Sequence, residues 1–123
     1  MSNAIVFDLP YPPSANRLWR NFRGRMVKSP DYVKWLEACR MTIPMEAIGR
    51  VRGRHSVDIA ADRPDRRARD IDNLVKPTLD ALKDTKLLKG VIRDDSDTQS
   101  ITVRWRSDDP SKTPRLTVCV FPE

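Results

Sequence analysis

Apolar residues along this 123-residue chain recur with two different periods, and the switches between them lay out its elements. Residues 4–9 bring together Ile5, Val6, Phe7 and Leu9, which reads as a first strand. Pro10, Pro12 and Pro13 end it: proline fixes φ and has no N–H, so residues 10–13 must run extended. Residues 17–28 read as a small hairpin turning at Arg23-Gly24. Ser29-Pro30-Asp31 then opens a helix, with serine as N-cap, proline at the first position and aspartate at the positive end of the dipole. Tyr32, Trp35, Leu36 and Cys39 take the 3–4 spacing, and Val33, Met41, Ile43 and Ala47 add further apolar positions. Pro44 makes this helix kink or restart, and Ile48-Gly49 closes it. Residues 55–61 alternate, with Val57, Ile59 and Ala61 on one face of a strand. The lone His55 is expected at the surface or at a strand edge.

Ile71, Leu74, Val75, Leu79 and Leu82 form one apolar helix face, and Asp72, Lys76 and Asp80 fall on another. Pro77 costs little only in a first turn, which starts this helix near Asp72 or Asn73 and ends it near Lys83-Asp84. Residues 85–90 form a turn, and 94–97 a polar turn. Residues 100–106 alternate again, with Ile101, Val103 and Trp105 on one face; 107–114 form a loop, and 115–121 a closing strand. Strands and helices do not alternate strictly. The expected class is therefore α+β, a small mixed β-sheet packed against two helices, in a single domain over residues 1–123.

Composition changes this picture in one respect. Charged residues make up 33% of the chain and the net charge is +6, which favours a polyanionic partner. Seven arginines lie between Arg50 and Arg69. The two cysteines, Cys39 and Cys119, sit among apolar residues and read as buried thiols, with a disulfide between them left open. With one histidine and no CxxC, the usual zinc ligand set is missing. No apolar run approaches the roughly 18 residues of a membrane span, and the start does not read as a signal peptide. The expectation is a cytoplasmic protein with no membrane partner.

Against this basic background stand Asp70-Ile71-Asp72-Asn73-Leu74-Val75-Lys76 and, further on, Asp94-Asp95. Aspartates ionised at neutral pH repel one another when gathered, unless a cation lies between them. Mg²⁺ suits such a place, since it takes hard oxygen ligands, usually one or two carboxylates with waters and phosphate oxygens. A metal there would orient or acidify a water for phosphodiester hydrolysis. Lys76, one turn from Asp72, would set a positive charge by the scissile phosphate. The plainer alternative is that Asp70 and Asp72 cap the helix while Lys76 pairs with Asp72 or Asp80. Spacing leaves open whether Asp94 and Asp95 return to the start of that helix or stay at its far end. Arg17, Arg20, Arg23 and Arg25 alternate with aromatics in the hairpin, and Arg63, Arg66, Arg67 and Arg69 precede the acids; both sets are candidates for DNA contacts.

The string Asp70-Ile71-Asp72-Asn73-Leu74-Val75-Lys76-Pro77, followed by Leu79-Asp80-Ala81-Leu82 and Asp94-Asp95-Ser96-Asp97, resembles the RusA family of Holliday junction resolvases. Leu9-Pro10 and Pro12-Pro13-Ser14-Ala15-Asn16 look like that family's opening loop, and the likeness runs from about Leu9 to Val103. It implies a dimeric, Mg²⁺-dependent endonuclease, with Mn²⁺ as an alternative ion and no small-molecule cofactor. Such an enzyme resolves four-way DNA junctions by paired symmetric nicks in recombination and repair. The family's catalytic aspartates map onto Asp70 and Asp72 and its lysine onto Lys76. The third aspartate maps onto Asp95, with Asp94 adjacent; the segment 83–93 is a few residues longer than the family's, so the register of that pair stays open. All four aspartates are then candidate metal ligands.

Three other readings compete, one of them an interaction protein whose basic loops only solubilise it. Pro64-Asp65 with Asp84-Thr85-Lys86 matches the pattern of restriction-like nucleases, but there the second element belongs on a strand and here it falls at a helix end. A non-catalytic nucleic-acid-binding module would account for the arginines but gains nothing from repelling carboxylates in a basic setting.

Overall fold

The computed structural model describes residues 3–123. In chain order the elements are β1 (Ile5–Pro10), β2 (Trp19–Phe22), β3 (Arg25–Lys28), α1 (Pro30–Thr42), β4 (His55–Arg63), α2 (Val75–Leu82), β5 (Thr98–Pro110) and β6 (Arg115–Pro122). Strands β1, β6, β4 and β5 form one sheet in that order, and β2 and β3 a separate hairpin. In this sheet β4 and β5 run parallel, and the pairs β1–β6 and β4–β6 are antiparallel. A parallel pair needs a crossover connection, and here the crossover is the segment carrying the acidic string and α2. The expected α+β class, with a mixed sheet and two helices, is what the chain adopts.

Alternation builds the core. Phe7 and Leu9 on β1, Val57, Ile59 and Ala61 on β4, and Leu116, Val118 and Val120 on β6 are all buried. Helix α1 lays Tyr32, Trp35, Leu36 and Cys39 against them, and its Ser29 cap accepts the Tyr32 N–H. Val33 and Met41 turn out exposed: the buried stripe of α1 is narrower than its apolar content. The helix ends at Thr42, ahead of Pro44, and the chain restarts as a 3₁₀ turn over Met45–Ala47. The β2–β3 hairpin does turn at Arg23 and Gly24, both at positive φ (52° and 77°), as a tight two-residue connection requires. Strand β5 extends to Pro110, well into the stretch expected as loop, and stays largely exposed at the sheet edge. Both cysteines are free thiols, Cys39 buried and Cys119 half-buried.

His55 corrects the surface assignment. It is 0% exposed, with Nδ1 3.0 Å from the Gly53 carbonyl oxygen and Nε2 2.7 Å from Thr98 Oγ1. Both ring nitrogens thus have partners at the start of the parallel pair, which is how a polar ring is accommodated out of water.

Two contacts fix α2. The first is polar. Asp80 is 7% exposed, and Tyr32, from the core face of α1, donates its hydroxyl to it. Lys76 and Lys83 close on the same carboxylate, at 3.0 and 3.3 Å. Burial pushes the Asp80 carboxyl up, but the Tyr32 hydrogen bond and the two ammonium groups more than offset this and hold it below 3.8. The second contact is a close approach. Val91 and Ile92 donate their N–H groups to the Leu82 carbonyl (2.7 and 3.1 Å), and Gly90 accepts from the Gly49 N–H at 2.8 Å. A Cβ on Gly90 would stand 2.2 Å from the Leu82 oxygen, so only glycine fits there.

Two expectations follow for stability. Gly90→Ala should lower the unfolding free energy by at least about 2 kcal/mol in urea titrations. Gly53→Ala, which meets nothing within 4 Å, should stay within about 0.5 kcal/mol. Because Asp80 binds its proton less readily folded than unfolded, its contribution is full above the ordinary carboxylate range and is lost as pH falls through the lowered folded pKa. Asp80→Asn should therefore cost about 1.5–3 kcal/mol near neutral pH, and the gap to wild type should narrow in melts below about pH 4.

Candidate active site and nucleic-acid interface

Strand β4 delivers the chain to a loop that Asp65 organises. Its carboxylate accepts from Arg69 Nε and Nη2 (3.1 and 2.7 Å) and from the Arg67 N–H, and these bonds hold it at a pKa of about 2. Asp70 follows at the N-cap position with extended backbone. A 3₁₀ turn over Ile71–Leu74 then leads into α2, whose first turn holds Pro77. Leu74 is buried and Ile71 half-buried, which leaves Asp70, Asp72 and Asn73 facing solvent.

The Asp70 side chain makes no capping bond, so the plain capping explanation fails for it. Among the described residues neither the Asp70 nor the Asp72 carboxylate has a hydrogen-bond or ion-pair partner. Asp62, Asp65, Asp84 and Asp97 each have an arginine against them. Lys76 pairs with Asp80 rather than Asp72, while its side chain stays 56% exposed.

Asp95 opens a 3₁₀ turn capped by Asp94, and its backbone follows the Gly90–Ile92 contacts with the C-terminal end of α2. Asp94 caps that turn, accepting from the Ser96 N–H and hydroxyl, and these bonds lower its pKa. Asp95 instead lies 3.6 Å from Lys83 Nζ. An ionic chain thus runs from Lys76 through Asp80 and Lys83 to Asp95. Burial would depress the Lys83 ammonium, but Asp80, then Asp95 and Asp94, raise its pKa overall. Among the described residues no three His, Cys, Asp or Glu side chains are gathered so as to hold a metal ion. Asp95 is instead paired with Lys83. Asp70 and Asp72 by themselves still have the donor chemistry of a hard divalent cation that keeps waters and phosphate oxygens in its shell.

Asp80 is the residue that sequence reasoning passed over as a site component. Its signal was present: a carboxylate four residues after Lys76 inside an apolar run must be buried with a partner.

The arginines divide. In the hairpin, Arg20 and Arg23 lie over the Phe22 ring at 5.5 and 5.2 Å, Lys28 over Trp19 at 5.4 Å, and Phe22 is 47% exposed. Arg25 is exposed on β3, and Arg17 is ion-paired with Asp31. In the loop, Arg67 and Arg69 serve Asp65, and Arg63 stacks on Trp105 at 4.7 Å with its buried Nε unpaired. Only Arg66 of that group is without a partner among the described residues. The groove of four free arginines is thus reduced by internal pairing. The rival pair Asp65 and Asp84 is also occupied: Arg52 and the Gly90 N–H bond Asp84 just past α2 and hold it below the usual carboxylate range.

A cleft of about 300 Å³ opens beside Asp70, between residues 11–16 and residues 68–74. Its outer wall is stiffened where Trp35 Nε1 donates to the Pro10 carbonyl at 2.9 Å.

Sequence comparison adds to this geometry. The family described as Endodeoxyribonuclease RusA matches residues 10–120. The crossover junction endodeoxyribonuclease rusA of Enterobacteria phage HK97 is 37% identical over 84 residues, 65% of this chain and 68% of the relative. The protein named crossover junction endodeoxyribonuclease RusA from Escherichia coli K12 is 38% identical over 82 residues, with the same coverage. That of Enterobacteria phage 82 is 33% identical over 87 residues. With the match spanning nearly all of the chain and including its acidic string, this protein belongs to the RusA endodeoxyribonuclease family.

Proposed function

We propose that this chain is one endonuclease domain that cuts branched DNA, four-way junctions above all, as a homodimer with Mg²⁺ or Mn²⁺. The observation that carries the reading is the pair of exposed, unpartnered carboxylates, Asp70 and Asp72, in a chain of net charge +6. Unpaired anions next to a phosphate-seeking surface oppose binding unless a cation joins them. When bound there by Asp70 and Asp72, a divalent ion would supply an activated water and neutralise charge on the phosphate.

The chain's own residues do the rest. Lys76, held at its ammonium by Asp80, keeps a half-exposed cation one turn from Asp72, where it can meet a phosphate oxygen. Asp80 is a positioning residue, since it holds the Lys76 ammonium, and Tyr32 acts through its hydrogen bond to Asp80. Lys83 pairs with Asp95 as well as Asp80, so Lys76, Asp80, Lys83 and Asp95 form one ionic chain along α2. The hairpin cations, together with Arg66, contact phosphates, so binding should weaken steeply with salt. A four-way junction has two-fold symmetry, and a C2 dimer would present two sites to two opposed strands. A cytoplasmic location fits a DNA substrate.

Asp72→Asn should bind a synthetic four-way junction with wild-type affinity in gel shifts and cut it at least about 100-fold more slowly. Normal cutting by this variant would remove Asp72 from the site. Lys76→Ala should slow cleavage by about 100-fold with little change in affinity; a loss of affinity alone would make it a binding residue.

A further inference from the structure

Residues 17–28 hold five cations and no acid. Arg17 is paired with Asp31 and Lys28 stands over the Trp19 ring, but Arg20, Arg23 and Arg25 have no ion-pair partner among the described residues. The strand pairs Arg20–Val27 and Phe22–Arg25 put these four side chains on one face of the β2–β3 ribbon. The opposite face meets the body, where the Trp19 ring stands edge-on to Tyr32 at 5.8 Å. The arginine face is left to solvent, with Val27 alone half-buried. Phe22 orders it, carrying the guanidinium groups of Arg20 and Arg23 over its ring at 5.5 and 5.2 Å. A guanidinium stacked on a ring keeps its N–H fork free at the edge, ready for a phosphate. A base stacking on Phe22 would compete with the two arginines already there.

Shape selects the surface that such a ribbon meets. Two paired strands lie about 4.8 Å apart, and side chains on both edges widen the ribbon further. It fits the major groove, about 12 Å wide, and not the minor groove, about 6 Å wide. We infer that this hairpin enters the major groove of one duplex arm, where Arg20, Arg23 and Arg25 hold the phosphates of its walls. The inference rests on the branched-DNA nuclease reading. Asn16 lines the cleft beside Asp70, and Arg23 follows it in the chain at a reach of at most about 25 Å. The groove contact therefore falls within about one helical turn of the cut, a turn being about 34 Å. Contacts to phosphates fix position and orientation and carry no sequence information, so the hairpin anchors an arm whatever its sequence.

The test saturates a synthetic four-way junction with the full chain in EDTA, so that the DNA stays whole, and maps methylation of guanine N7 by dimethyl sulfate along each arm. One group of guanines within about ten base pairs of the cut should be protected, since N7 lies in the major groove. Arg20→Ala combined with Arg25→Ala, both at exposed positions, should remove the protection. The same double variant should lower the slope of log affinity against log salt by about two. Phe22→Ala should weaken the protection, and Phe22→Tyr, which keeps a ring under the arginines, should retain it. Uniform N7 reactivity in every arm would overturn the assignment, and so would protection that survives the double variant. Competition by a ligand of the A·T minor groove would overturn it too. A chain that protects the arm and never cuts with Mg²⁺ would leave the hairpin assignment standing and overturn the nuclease reading.

Discussion

Asp80 is a carboxylate taken almost wholly out of water, and such a group is costly unless it is hydrogen-bonded and paired. Tyr32 and two lysines meet that requirement, and in doing so they fix three things together. Helix α1 is locked to α2 by a bond between core side chains. Lys76 is held in one orientation beside the acidic string. Lys83 is brought to where it also engages Asp95. Removing one partner from such a buried cluster leaves the others uncompensated, so the cluster constrains fold and site at once.

The candidate site follows from what this cluster leaves unpaired. With Lys76 committed to Asp80 and Arg67 and Arg69 committed to Asp65, Asp70 and Asp72 remain the acids of the string that the protein itself does not neutralise. They stand where β4 gives way to α2 through a 3₁₀ turn, with Leu74 buried behind them and a cleft alongside. This arrangement leaves their charge to be met by something outside the chain. The crossover between the parallel strands β4 and β5 thus carries both the structural and the chemical demands of the molecule.

Much of the architecture was legible locally. The Ser29 cap, the Arg23-Gly24 turn, the alternation of β4 and β6 and the first-turn place of Pro77 each rest on short-range stereochemistry, and the family likeness rests on the acidic string with the opening loop and Asp94–Asp97. What escaped depends on partners distant in sequence. His55 is buried because Thr98, at the head of β5, supplies a hydroxyl to it. Val33 and Met41 are exposed because the sheet meets only one stripe of α1. The loop arginines read as free charge until Asp65 and Trp105 are seen to occupy three of them. The partner of Asp95 was not readable from spacing, since it is Lys83, twelve residues earlier.

Asp70 and Asp72, left unneutralised, would make cleavage of branched DNA depend on a divalent metal. The most direct test compares cleavage of a labelled four-way junction, a Y-fork and a linear duplex by the full chain, with Mg²⁺ and with EDTA. The account predicts paired nicks in the junction with Mg²⁺, none in EDTA and little cutting of the duplex. Equal cutting of junction and duplex, or undiminished cutting in EDTA, would contradict it.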